Sequence, residues 1–188
     1  MRISILKLSF LSFLFLASIG LSQAQSFKAN VEHSHVIVEG TSNIHDWEIE
    51  VEDLVSQLQL VNANQDELSV QSILFKVPVK SMKSGKGGMD KNTYKALDAD
   101  DYKFINFKST SIKKSAGTYF AAGNLTIAGT TKKVEIPFEI SKTNNQIKLS
   151  STYKINMLDY NIDPPKALFG TITTGENVTV MTNLTYNN

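Results

Sequence analysis

The 188-residue chain has no cysteine. That excludes disulfides, thiolate zinc sites, iron–sulfur clusters and cysteine nucleophiles, and it leaves burial of apolar surface to supply the stability. An excess of one charge is lacking as well. The 19 basic and 18 acidic residues give a formal net charge of +1, which offers nucleic acid no electrostatic footing. No G-x-S-x-G is present, and Asp98, Asp100 and Asp101 lack the spacing of a calcium loop. The glycines of Ser84–Gly88 do not fit the nucleotide P-loop. The three histidines, His33, His35 and His45, invite comparison with a zinc site. If Val36–Gly40 pairs with His45–Val51 across Thr41–Ile44, however, His35 lies roughly 15 Å from His45 at about 3.4 Å per residue. Neither a metal, another cofactor nor an enzyme is therefore expected, and no repeat or linker divides the chain.

One hydrophobic run stands out. Arg2 and Lys7 precede an apolar stretch from Leu8 to Leu21, which ends in Ser22-Gln23-Ala24. A basic start, a run too short to span a bilayer comfortably and a small-x-small end describe a secretory signal peptide over residues 1–24. No stop-transfer pattern follows and no cysteine is present to carry a lipid. The expectation is a periplasmic or secreted protein whose single domain is residues 25–188. Cleavage removes two basic residues and no acidic one, so the mature charge is −1.

After Phe27 the apolar residues recur with period two. His45, Trp47, Ile49 and Val51 share one face; so do Phe75 with Val77, Ile105 with Phe107, and Ile147 with Leu149. Turns are expected at Gly40-Thr-Ser-Asn43, Asn62-Ala-Asn64, Ala116-Gly117, Ala128-Gly129-Thr130 and Thr143-Asn-Asn145. One segment breaks the rhythm: Ser84 to Tyr102 offers Asp90 as an N-cap and spaces Tyr94 and Leu97 as a short helix lying over apolar surface would. A second, Asp159 to Gly170, carries Pro164-Pro165 and cannot be a central strand. The pattern predicts an all-β fold: an extended antiparallel barrel of about eight strands, closed to remove its edges, with one short helix in a long loop. On the inward phase, Ala121, Gly123, Ser109 and Ser151 are unusually small. They either let opposite walls approach or leave a cavity.

The segments YKFINFKST (Tyr102–Thr110) and GNLTIAGTTKKVEIPFEI (Gly123–Ile140) closely resemble the central signature of the YceI-like family. MDKNTYKALDADDY, HSHVIVEGTSNIHDWEIEVEDL and YNIDPPKALFG resemble its helix-plus-loop, first hairpin and closing segment. Two departures are Lys103, where the family usually has proline, and Asn124, where an acidic residue is common; neither position is in the lumen. The resemblance implies an exported, lipocalin-like barrel that holds an isoprenoid, such as a polyprenyl phosphate or a quinone-like lipid, as carrier, store or stress-related sink. Transient membrane contact and a homodimer are compatible with it.

On that reading the tail lies against Phe75, Val77, Ile105, Phe107, Leu125, Ile127 and Phe138, with Ala121 and Gly123 leaving it room and Leu97 over it. His45 and Trp47 stand at one mouth, where His45 either meets a head group or bonds to turn backbone. Lysines 80, 83, 86, 91 and 95 either hold a phosphate or form a solvated loop. Met82, Met89 and Met157, with Tyr94, Leu97, Phe104, Tyr160 and Phe169, suit a lid over hydrocarbon or ordinary packing. The rival reading is a structural or interaction barrel filled by its own side chains.

Overall fold

The computed structural model describes residues 24–61, 68–143 and 146–187. The apolar start over 1–23, the turn expected at Asn62–Asn64 and the pair 144–145 lie outside the described residues.

The β-branched and aromatic alternation resolves into strands β1 (Gln25–Ala29), β2 (His35–Ser42), β3 (Trp47–Val51), β4 (Val55–Leu60), β5 (Val70–Pro78) and β6 (Met82–Lys83). They are followed by helix α1 (Gly87–Ala96) and then β7 (Phe104–Ser115), β8 (Thr118–Ile127), β9 (Thr130–Thr143), β10 (Gln146–Asn156), β11 (Lys166–Ala167) and β12 (Ile172–Asn187). An antiparallel ring closes in the order β1-β4-β5-β7-β8-β9-β10-β12, with Lys28 and Ala29 of β1 registered on Asn187 and Tyr186 of β12. The barrel therefore has eight strands and no free edge at that level.

A second tier continues above the ring, because β12 is longer than β1. Its N-terminal part pairs with β2, β2 with β3, and β3 with β6. Thus β1 and β2 are one long strand broken by a 3-10 turn at Val31–His33, and β5 and β6 are another broken at Val79–Ser81. The breaks are bonded to their neighbours. The Asn30 N–H donates to the Thr185 carbonyl at 2.8 Å and the Thr185 N–H donates to Ser34 Oγ at 3.1 Å, while the Glu52 N–H donates to the Ser81 carbonyl at 2.9 Å. Broken strands thus lengthen the barrel while these backbone groups at the breaks stay paired.

Two tight turns follow from backbone sign. Ala116-Gly117 and Ala128-Gly129 both have positive φ at each residue, which suits two-residue hairpins to the twist of their strands. The first hairpin differs from expectation: β2 runs on through Ser42, and the turn falls at residues 43–46. Gly40 is a strand residue there, and the space its missing Cβ leaves is filled by the Trp47 indole.

The core is asymmetric along the barrel axis. At the end built by β1 and β4, Phe27, Leu58, Leu60, Ile147 and Tyr186 are buried and form a solid plug. The Tyr186 hydroxyl bonds to Ser56 Oγ at 2.8 Å, and Ser56 Oγ donates to the Leu74 carbonyl. Nearby, Tyr119 stacks on Phe138 at 5.3 Å and its hydroxyl donates to the Leu68 carbonyl. The other end is not filled.

Candidate functional site

Above the plug lies an apolar lumen in two adjoining chambers. The deep one, about 140 Å³, is lined by Phe75, Val77, Phe107, Ala121, Leu125 and Phe138 among others. The wide one, about 770 Å³, opens at the end formed by the β2–β3 turn, α1 and the Ile162–Gly170 segment. Val38, Met82, Ile105, Ile127, Ile155 and Val180 line both, so the chambers adjoin along the barrel. Period-two strands produce this lumen directly: β2, β3, β5, β7, β8, β9, β10 and β12 send alternate side chains to it, while those of β1 and β4 fill the plug.

Eleven of the twelve residues expected at the site face this space: His45, Trp47 and Leu97 the wide chamber, Ile105 and Ile127 both, and the remaining six the deep one. Gly123 faces neither chamber. A Cβ there would collide with the Lys108 carbonyl and come within 2.8 Å of the Phe107 ring and of Ser109 Cα. The β7–β8 register shifts between Ser109 and Ser111, and this bulge presses β7 against β8. Ser109 has a structural part in the same feature, accepting the Ile73 N–H on its hydroxyl at 2.8 Å. The expectation that Gly123 leaves room for a ligand is therefore corrected, since its space is already occupied. Ala121 and Ser151 are the small inward residues that do border the lumen.

At the mouth, His45 is exposed and its Nδ1 lies 2.8 Å from the Asp46 carbonyl. The half-buried Trp47 donates its indole N–H to the Thr41 carbonyl at 3.0 Å, which fixes the ring against the rim. Among the described residues no group of three or more His, Asp or Glu side chains is placed to hold a metal.

The helix that roofs the wide chamber starts three residues before the expected cap. Lys86 occupies the cap position, and Asp90 lies inside the first turn. Its carboxylate accepts both the Ser84 N–H, at 2.8 Å, and the Ser84 hydroxyl, at 2.6 Å. These bonds hold the Asp90 carboxyl below the usual carboxylate range, with Lys83 adding to the effect. Tyr94 packs its ring against the core, as the spacing predicts, and its hydroxyl donates to the Met82 carbonyl and accepts from Lys83 Nζ, both at 2.9 Å, latching α1 to β6.

The expected lysine cluster divides. Lys80 pairs with Asp100 at 2.7 Å and Lys83 serves the latch, while Lys86 and Lys91 line the wide chamber. The sequence reading missed Lys166, which joins them there. Of the lid candidates, Met82, Met89, Met157, Leu97 and Phe169 line the chamber. Phe104 is on the outer wall with Lys76 Nζ 3.6 Å from its ring centre. Tyr160 is buried, which with Tyr153 and Asp159 nearby pushes its phenol up to about 12.

A family model described as a YceI-like domain matches residues 22–186. No curated protein matches the chain. Among solved structures, Burkholderia cenocepacia BcnA is similar with a TM-score of 0.71 at 16% identity, over 84% of this chain and 98% of that one. A polyisoprenoid binding domain from Saccharophagus degradans aligns with a TM-score of 0.66 at 10% identity, over 88% of this chain and 99% of that one. The Campylobacter jejuni YCEI protein gives 0.61 at 16%, over 73% and 82%.

Proposed function

Because the chain belongs to the YceI-like family, we propose that it binds an isoprenoid lipid tail-first in its lumen, with the head group at the mouth. One observation carries this reading: two adjoining apolar chambers lie above a packed plug at one end, and the wider of them opens at the other. Such a space suits a long hydrocarbon with a polar terminus. Each methylene transferred from water gains about 0.8 kcal/mol, so a few isoprene units offset the entropy lost on binding. The polyisoprenoid binding domain among the similar folds adds support for this class of ligand.

The head group would meet Lys86, Lys91, Lys166 and His45, a set that favours a phosphate or another anionic terminus over a neutral one. A barrel filled by its own side chains, the rival reading, fits only the plugged half. The lumen suits holding a lipid rather than transforming it, so we assign a carrier, store or stress-related sink. The basic start, apolar run and small-x-small end of residues 1–24 support export to the periplasm or beyond, and sequencing of the mature chain is expected to begin at Gln25.

The binding reading is tested by extracting lipid from the purified protein for mass spectrometry and by adding a polyprenyl phosphate in detergent micelles. A bound prenyl chain, or saturable uptake of one, is expected. Protein that carries no lipid and takes up none would overturn the reading.

A further inference from the structure

The open end exposes large apolar side chains that the binding reading does not use. Phe169 is fully exposed at 110%, Leu168 at 68% and Ile44 at 57%, and all three border the wide chamber. They form one tip. Asn43 donates its side-chain N–H to the Thr171 carbonyl at 2.9 Å and accepts the Thr173 N–H at 2.9 Å, and its own N–H donates to the Thr173 carbonyl. The β2–β3 turn that carries Ile44 is thereby bonded to the loop that carries Leu168 and Phe169. That loop has positive φ at Leu168, Phe169 and Gly170 in succession, a region that bulky residues seldom enter. Its backbone holds the two side chains outward, although an apolar chamber lies beside them.

Charge is arranged around the same tip. The charged residues lining the wide chamber, besides His45, are Lys86, Lys91 and Lys166, with no carboxylate among them. The ion pairs Lys80–Asp100 and Lys113–Glu135 involve none of these lysines. Of the carboxylates at this end, Asp46 and Glu176 line a separate groove with Glu39 and Glu48, Asp90 of α1 is engaged by the Ser84 N–H and hydroxyl, and Asp163 is exposed on the loop before Pro164. The mature chain as a whole has almost no net charge, so the basic collar is local.

Apolar tips and lysines bordering the same opening match the layering of an anionic bilayer surface, which has acyl chains below and phosphates above. We propose that the open end docks on an anionic membrane, with Ile44, Leu168 and Phe169 entering the leaflet and Lys86, Lys91 and Lys166 meeting its head groups. Docking there places the lumen entrance against the acyl layer, so a lipid tail passes between bilayer and barrel without crossing water. Docking of this kind does not depend on which lipid the lumen holds.

The lone tryptophan, Trp47, lines the mouth and is the natural reporter. The apolar run before residue 25 contains no tryptophan and joins β1, at the plugged end. The test mixes the purified protein with phosphatidylcholine vesicles containing or lacking phosphatidylglycerol, with brominated acyl chains as quencher. Expected are binding that needs phosphatidylglycerol and weakens with salt, with quenching of Trp47. L168S/F169S should weaken binding by about tenfold or more, and each of Lys86→Gln, Lys91→Gln and Lys166→Gln by about fivefold. Absence of vesicle binding, binding without Trp47 quenching, or variants that bind as the wild type does would each overturn the proposal. So would a dimer in solution that L168S/F169S dissolves while vesicle binding stays absent, since the tip would then cover a second copy of the chain. Prenyl uptake from micelles needs no bilayer, so failure of docking and failure of the binding reading are read separately.

Discussion

Two small residues on one strand have opposite roles. Gly123 has no room for a side chain, because the β7 bulge and the Phe107 ring already occupy its surroundings. Ala121, two positions away on the same face, borders the deep chamber. Gly123→Ala should therefore destabilise the protein by about 1–3 kcal/mol through overpacking and leave the lumen's depth unchanged. Ala121→Leu should cost less stability and shorten the tail that can be held, which denaturant melts and uptake of prenyl chains of graded length would show. Tyr186 gives a pH signature at the same scale. Its burial pushes the phenol up to about 12, against an ordinary value near 10, and the Ser56 bond offsets only part of this. Between those values the unfolded chain ionises and the folded one does not. Stability is thus intact below about pH 10 and falls as pH rises toward 12, by about 2–3 kcal/mol in all. Tyr186→Phe should remove this share of the alkaline fall in urea melts taken from pH 9 to 12 and leave the share of Tyr160, whose phenol is raised likewise.

Among the elements, α1 is held over the lumen by core contacts of Met89, Tyr94 and Ala96 and by two polar clips: Asp90 to Ser84, and Tyr94 to β6. Because the folded Asp90 carboxyl sits below its ordinary value, its contribution is present above the unfolded value near 4 and is lost as pH falls through the folded one. Asp90→Ala should raise hydrogen exchange of the α1 amides about tenfold and remove its acid dependence. The strands were legible because alternation and Ala-Gly turns speak directly of hairpins, as at β8–β9. The start of α1 was not, because Gly87 and Gly88 look like loop residues and Asp90 looks like a cap while it reaches back to Ser84. The β2–β3 turn was misplaced for a related reason: Gly40 reads as a turn glycine, whereas its missing side chain accommodates Trp47. Inward phase located most of the lumen, since burial follows period two. Lys166 and the Asn43 bonds to the 171–173 backbone depend on contacts between segments far apart in sequence, which no local pattern reveals.

At the scale of the whole molecule the barrel divides its labour along its axis. The β1–β4 end is packed solid and the α1 end is hollow. Stability and binding should therefore respond to different substitutions. Leu58→Ala, in the plug, should cost about 2–5 kcal/mol while the folded fraction still takes up prenyl lipid. Ile155→Trp, where the two chambers meet, should cut uptake tenfold or more by closing the passage, at a cost of about 1–3 kcal/mol. Calorimetry alongside uptake would show whether the two properties separate in this way.

The plug also dictates the traffic. On the proposed binding, a tube sealed at its floor among the described residues makes an arriving chain enter by the route along which the previous occupant left. Exchange of cargo is then strictly sequential, with an empty protein between one guest and the next, and the distance from doorway to floor fixes how much of any guest can be sheltered.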